Sequence, residues 1–298
     1  MTTQNLLVQA YLVTLKNKAA GTIVGYSRAL TAFTFWLAER SSEDFQPEQF
    51  TKTAVETYFA ELEARYSVSY RTLVKSALSG FADWLMEEDL LRRNPTSKLH
   101  IDAQMMLAPR ILSDEQRFIL KQLVERADDR RGDALFALGY YAGCRVSDTS
   151  WLTMDNVHLT ERGGWIRVGY KGSKYREIDL AKPAREALQG FLTERQSDSP
   201  FVFPSQRADR LSEAGIHHWF RGLKAGAKAK EFAEIDDISY HDLRHDFAHR
   251  ARAARWSLEE VAYYLGHITK RGTPAVQTTA RYTQVGREQV KGKLSLIN

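Results

Sequence analysis

The chain has one cysteine in 298 residues, Cys144, so no intrachain disulfide can staple it. A reducing, cytoplasmic setting is expected on that ground. No apolar run approaches the ~20 residues that span a bilayer. The N-terminus "MTTQNLLVQAYLVTLKNKAA" lacks the charged, apolar and small-residue layout of a secretory signal. No membrane association is therefore expected. Prolines are few, seven in all, and two of them fall between residues 95 and 109. The chain has no H-E-x-x-H pattern and no acidic cluster with metal-ligand spacing. A metal-dependent nuclease is disfavoured, and no metal site is expected.

What is present is enough for real cores: 43% of residues are hydrophobic and 27% charged. The length suits one large domain or two ordinary ones. The formal charge is +5, which permits a polyanionic partner without demanding one. Its distribution says more. Residues 1–94 hold ten Lys/Arg against eleven Asp/Glu, whereas residues 241–298 hold ten against five. The positive excess lies at the C-terminal end.

The first hundred residues read as amphipathic helices. In "TIVGYSRALTAFTFWLAER" the positions Ile23, Tyr26, Leu30, Phe33 and Leu37 step by three or four. "TAVETYFAELEAR" and "SVSYRTLVKSALSGFADWLMEEDLL" repeat the pattern. On the third of these, Arg71 and Lys75 lie one turn apart, off the apolar stripe, as phosphate-reaching or simply solvated side chains. Residues 95–109 carry no period and read as a linker. A second domain, 110–298, opens at "ILSDEQRFIL", where Ser113 and Gln116 have capping-box spacing. "DALFALGYYAG" reads as an apolar helix, and "GWIRVGYKGSKYREIDL" as two strands around a Gly/Ser/Lys turn. "SLEEVAYYLGH" starts with another capping box and stops at Gly266. The chain is mainly α with a small β-sheet.

The segment "ISYHDLRHDFAHRARAARW" is the most basic stretch with internal order. His241 and Arg244 share a helix face. His245 and His249 have metal-pair spacing but no supporting glutamate or cysteine. Arginine suits forked contact with phosphate oxygens, and a merely exposed basic helix is the competing reading. Arg145 follows a helix end, with Asp148 three residues on. Lys171 and Lys174 sit at the hairpin tip, and Tyr282 lies in "TTARYTQV". Each of these is an ordinary surface or boundary residue when taken alone.

Taken in order, these segments resemble the tyrosine site-specific recombinases, the integrase and Xer-type enzymes. "GCRVSD", "YKGSKYREIDL", "HDLRH", "YYLGH" and "TTARYTQV" carry the likeness, between about Ile111 and Val285. The resemblance implies a catalytic set of Arg145, Lys171, His241, Arg244, His267 and the nucleophile Tyr282, with Asp148 supporting Arg145. It implies that 1–94 is a helical core-DNA-binding domain, with Arg71 and Lys75 among its DNA contacts, and that 110–298 is the catalytic domain with a C-terminal tail. Lys174 is expected to touch DNA from the hairpin. Two departures stand out. Asp148 replaces the longer glutamate common in the family. His267 and Tyr282 lie 15 residues apart, a longer spacing than usual, with the surplus in "ITKRGTPAVQ".

The implied chemistry needs no cofactor. A phenolic oxygen attacks a DNA phosphodiester, arginines hold the charge that develops on the non-bridging oxygens, and the 3′-phosphotyrosine conserves the bond energy. A phenol with an ordinary pKa of about 10 needs help losing its proton, which His241 is suited to give. Lys171 protonates the leaving 5′ oxygen, and His267 donates a further hydrogen bond. The partners implied are double-stranded DNA with short inverted core sites and a homo-tetramer working through a four-way junction. Resolution, excision and integration of a mobile element or replicon remain open outcomes. A catalytically inactive DNA-binding regulator and a type IB topoisomerase-like relaxing enzyme are the alternatives.

Overall fold

The structure, a computed structural model, describes residues 5–102, 110–169, 175–269 and 273–280. The chain divides into two compact units, Met1–Met105 and Met106–Asn298. Among the described residues no helix is long and apolar enough to cross a membrane.

The first unit contains α1 (Leu6–Thr14), α2 (Ala20–Ser41), α3 (Lys52–Glu63) and α4 (Val68–Glu87). Polar caps fix where three of them begin. The side chains of Asn5, Thr51 and Ser67 accept from Leu7, Ala54 and Tyr70 backbone N–H groups, satisfying donors that a helix start leaves open. The apolar stripes converge on an aromatic core. Phe33 is fully buried, with ring centroids 5.0 Å from Phe50 and 5.1 Å from Tyr58. Ile23 and Tyr26, at the start of the α2 stripe, are only half-buried. Past α4 the chain stays on this unit. Asn94 donates to Ser79 and Asp83 and accepts from Thr96, and Leu99 and Ile101 pack on the core. The first part of the stretch expected as linker is therefore docked.

The second unit opens with α5 (Asp114–Ala127), α6 (Arg130–Tyr140) and α7 (Val146–Ser150). The expected Ser113–Gln116 capping box is formed. Three antiparallel strands follow, β1 (Val157–Leu159), β2 (Gly164–Val168) and β3 (Arg176–Asp179), in the order β1-β2-β3. Ile166, Val168 and Ile178 point into the core, while Arg167 and Glu177 pair outside at 2.8 Å. This is the period-2 alternation of a half-buried sheet. The hairpin pair β2–β3 was legible in the sequence. The third strand, β1, was not, because three residues carry no readable period.

The chain then returns to helices: α8 (Lys182–Glu194), α9 (Glu213–Ala225), α10 (Ala229–Ile235), α11 (Tyr240–Ala253), α12 (Leu258–Leu265) and α13 (Val276–Thr279). Helix α6 is buried on every side, with Leu135, Phe136, Leu138 and Tyr140 all in the core. Helices α11 and α12 meet over a small cluster of Phe247, Ala248, Ala251, Val261 and Leu265. Beneath α11, the fully buried Asp246 accepts from Arg117 on α5 (2.8 Å), from Arg250 (2.8 Å) and from the Leu112 amide (3.3 Å). A buried carboxylate is tolerable only when paired in this way.

Phe33→Ala leaves a cavity at the centre of the aromatic core. The expected loss is about 3–5 kcal/mol of the first unit's stability, read by chemical denaturation with tryptophan fluorescence. A loss below about 1 kcal/mol would contradict this account of the core.

Candidate active site

Arg145 immediately precedes α7, and its backbone N donates to Asp148 Oδ2 at 2.9 Å. Asp148 is 5% exposed and also accepts from Arg176 Nη2 at 2.6 Å. Burial alone pushes the Asp148 carboxyl up. The Arg176 guanidinium, by charge and by hydrogen bond, and the Arg145 amide more than offset this and hold it below the usual carboxylate range. Arg176 starts β3, and its Nε donates to the Tyr264 carbonyl at 3.2 Å. Asp148 and Arg176 thus tie the sheet to the turn that carries Arg145 and to the end of α12. The shorter carboxylate at 148 still reaches its partners.

Arg244 is the centre of the arrangement. It lies on α11 and is 1% exposed. Nη1 donates to the Gly143 carbonyl at 2.6 Å, and Nη2 to the Leu265 carbonyl at 2.6 Å. Nη2 is also 3.1 Å from His267 Nε2. One guanidinium therefore fixes the segment two residues before Arg145 and the segment two residues before His267. Glycine is required at both bends. Gly143 has φ +60° and Gly266 φ +68°. A Cβ on Gly143 would sit 2.8 Å from the Phe247 ring, and one on Gly266 would sit 2.6 Å from Arg176 Cδ.

His241 and His245 stand one turn apart on α11, ring centroids 4.3 Å apart at 82°. The His241 imidazole is held below its ordinary pKa by partial desolvation and then by the Arg244 and Arg145 guanidiniums. Of these residues, Arg244 and His267 are in direct contact, and the Arg244 and Arg145 charges both act on His241. Desolvation, followed by the His241 charge, pushes His245 down to about 4. A neutral His241 is free to accept a proton. Among the described residues no group of histidine, cysteine or acidic side chains has the arrangement to hold a metal ion.

The long spacer after His267 folds back on itself. Ile268 and Pro274 form an antiparallel bridge, Thr269 N donates to Thr273 O at 2.8 Å, and Ala275 N returns to His267 O at 2.6 Å. The chain leaves His267 and is handed back beside it at Ala275. In sequence, Tyr282 is the seventh residue after Ala275. On α13, the fully buried Thr279 places Oγ1 3.0 Å from His267 Nδ1.

Tyr282, Lys171 and Lys174 lie outside the described residues. Two other tyrosines are already spent. The Tyr240 hydroxyl donates to Leu135 O at 2.6 Å, and burial raises its pKa. The Tyr264 hydroxyl donates to Asp179 O at 2.9 Å. Tyr263 is 72% exposed on α12. In the first unit, Arg71 pairs with Glu63 at 2.6 Å and Lys75 donates to the Leu99 carbonyl. Both cations expected to reach DNA hold partners within their own unit. The sequence reading missed Arg176 and Thr279. Arg176 lies in the hairpin segment "KYREI" and Thr279 in "TTARYTQV", so both sit inside segments that carry the resemblance, but their partners are set by distant chain.

Comparison with known proteins shows the family and the fold. A model described as the phage integrase family matches residues 109–288. The chain is 28% identical over 292 residues to tyrosine recombinase XerC of Neisseria gonorrhoeae, covering 94% of this chain and 91% of the relative. It is 29% identical over 304 residues to tyrosine recombinase XerD of Haemophilus ducreyi, with coverages of 96% and 95%. Among solved structures, the XerH recombinase bound to palindromic difH substrate superposes with TM-score 0.72 at 17% identity, over 97% of this chain and 83% of that one. A lambda integrase tetramer bound to a Holliday junction gives TM-score 0.69 at 15% identity, over 94% and 78%. At these identities the structural likeness speaks for the fold.

His245 generates a pH prediction. Its folded pKa of about 4 lies below the ordinary 6.5, so the unfolded chain binds more protons between those values. The stability that the neutral ring contributes is full above pH 6.5 and is lost as pH falls towards 4. His245→Gln should flatten the fall of Tm across that window. An unchanged acid slope would sink this assignment.

Proposed function

The chain belongs to the phage integrase family, and from that membership we propose how its residues work. It is a tyrosine site-specific recombinase, a DNA strand transferase. The observation that best supports a working site is the Arg244 guanidinium, which joins the Arg145 segment to the His267 segment within one buried network.

In our reading, Arg145 and Arg244 hold the non-bridging oxygens of the scissile phosphate, where charge gathers in the transition state. His241 takes the phenolic proton of Tyr282, whose oxygen bonds to phosphorus. The bond from phosphorus to the 5′ oxygen breaks, and Lys171 supplies the proton that the 5′ oxygen acquires. The 3′ end stays joined to Tyr282 as a phosphotyrosine. A 5′-hydroxyl from another strand reverses these steps and releases the tyrosine. Each cleavage is balanced by a ligation, so no nucleotide or external energy source enters.

The first unit serves as a core-DNA-binding domain and the second as the catalytic domain. In that role, Arg71 and Lys75 exchange their internal partners for phosphates, and Lys174 contacts DNA beside Lys171. The target is a pair of short inverted core sites in double-stranded DNA. Four subunits exchange strands through a four-way junction, as the lambda integrase tetramer on a Holliday junction suggests. The setting is cytoplasmic, and the DNA is a mobile element or replicon.

A nicked suicide DNA substrate, carrying the inverted repeats that flank the gene, tests the reading. The wild type should form a denaturation-resistant adduct in EDTA, and Tyr282→Phe should form none. Persistence of the adduct in Tyr282→Phe would assign the nucleophile elsewhere. Arg145→Lys should slow adduct formation at least ~100-fold while site binding stays within about threefold, because an ammonium cannot reproduce the forked contact. A near-normal rate in that variant would remove Arg145 from the clamp. An adduct that requires a divalent ion would favour a different chemistry altogether.

A further inference from the structure

His267 is held by two side chains of opposite character. Its Nε2 faces Arg244 Nη2 at 3.1 Å, and its Nδ1 faces Thr279 Oγ1 at 3.0 Å. A guanidinium has no acceptor lone pair, so Nε2 of the neutral ring accepts there and Nδ1 carries the proton. Nδ1–H then donates to Thr279 Oγ1. The Thr279 hydroxyl in turn lies 3.4 Å from the Ala275 carbonyl, whose own amide is bonded to His267 O at 2.6 Å. The imidazole, the hydroxyl and the backbone of the returned chain form a closed circuit. Thr279 is fully buried and His267 is 9% exposed, so solvent is poorly placed to substitute for a missing partner.

This state differs from the one the reaction needs. To donate to a phosphate oxygen through Nε2, the ring must put a proton there, by gaining one or by changing tautomer. A hydroxyl both donates and accepts. Thr279 therefore partners Nδ1 in either tautomer, with only a rotation of its O–H. A valine of the same shape partners neither. Thr279 also lies three residues before Tyr282, so the contact ties the histidine to the segment that leads to the nucleophile.

We infer that Thr279 is a positioning residue for His267, one that orients the imidazole and supports Nδ1 while Nε2 turns from accepting from Arg244 to donating to the scissile phosphate. The catalytic part of this inference rests on the proposed function; the tautomer part does not.

Two measurements test it. In full-length protein without DNA, long-range 1H–15N NMR of labelled histidine, with His267 assigned by His267→Gln, should show a protonated Nδ1 and an unprotonated Nε2. A protonated Nε2 in the neutral ring would overturn the assignment of partners, whatever the activity. On the suicide substrate, Thr279→Val should form adduct roughly 10- to 100-fold more slowly than wild type, as loss of one buried hydrogen bond implies. Thr279→Ser should recover to within about threefold, since it restores the hydroxyl. In a His267→Ala background, Thr279→Val should cost little more, because its partner is already gone. A full Thr279→Val penalty in that background would mark a general packing role, and a wild-type rate in Thr279→Val alone would end the inference. Absence of any adduct from the wild type would instead strike at the proposed function and leave the NMR result to stand or fall by itself.

Discussion

The Arg244 guanidinium is the joint on which the second unit's site is built. It is a permanent cation with almost no exposure, so it must be surrounded by acceptors. Two carbonyls and a ring nitrogen supply them, from segments 101, 21 and 23 residues away in sequence. The requirement works in both directions. Burying the cation obliges Gly143 and Leu265 to turn their carbonyls inward, and those turns set the directions in which Arg145 and His267 leave. The two glycines with positive φ permit the bends. A second charged centre, Asp246, sits one half-turn along α11 and is met by Arg117 and Arg250. Helix α11 is thus pinned on both of its buried sides.

Charge and proton balance follow from this packing. Desolvation, then the charges of Arg244 and Arg145, disfavours positive charge on His241. His241 is thereby favoured in its neutral form, able to take a proton. Asp148 is the acid that moderates the cluster. Its carboxylate accepts from the Arg176 guanidinium and from the Arg145 backbone amide, and so supports the turn that carries Arg145. The spacer after His267 obeys a related economy. Its bridge at Ile268–Pro274 and the Ala275 amide bond to the His267 carbonyl return the chain beside the histidine.

Much of the architecture was legible in the sequence because its causes are local. Three- and four-residue steps of apolar side chains gave the helices. Ser113–Gln116 and Ser257–Glu260 gave two helix starts, and Gly266 gave an end, all of them formed. The β2–β3 hairpin followed from its turn residues and alternation. Strand β1 escaped because it is three residues long and exists by pairing with β2. Of the candidate site the sequence offered residue types and order; the structure describes Arg145, His241, Arg244 and His267, while Lys171 and Tyr282 lie outside the described residues. Arg71 and Lys75 looked like free cations because Glu63 and the Leu99 carbonyl lie 8 and 24 residues away in the chain.

The sequence by itself determined which segments are helical, which face of each is apolar, and which side chains are equipped for phosphate chemistry. Those properties depend on residues within a turn or two of one another. Tertiary structure alone decided that Arg244 holds carbonyls and His267, that Arg176 closes on Asp148, that Ala275 returns to His267, and that Thr279 meets His267. Each of these depends on which distant backbone groups a buried polar atom finds within hydrogen-bond reach. No local pattern encodes that choice; it is made when the whole core closes and every buried donor must be matched with an acceptor.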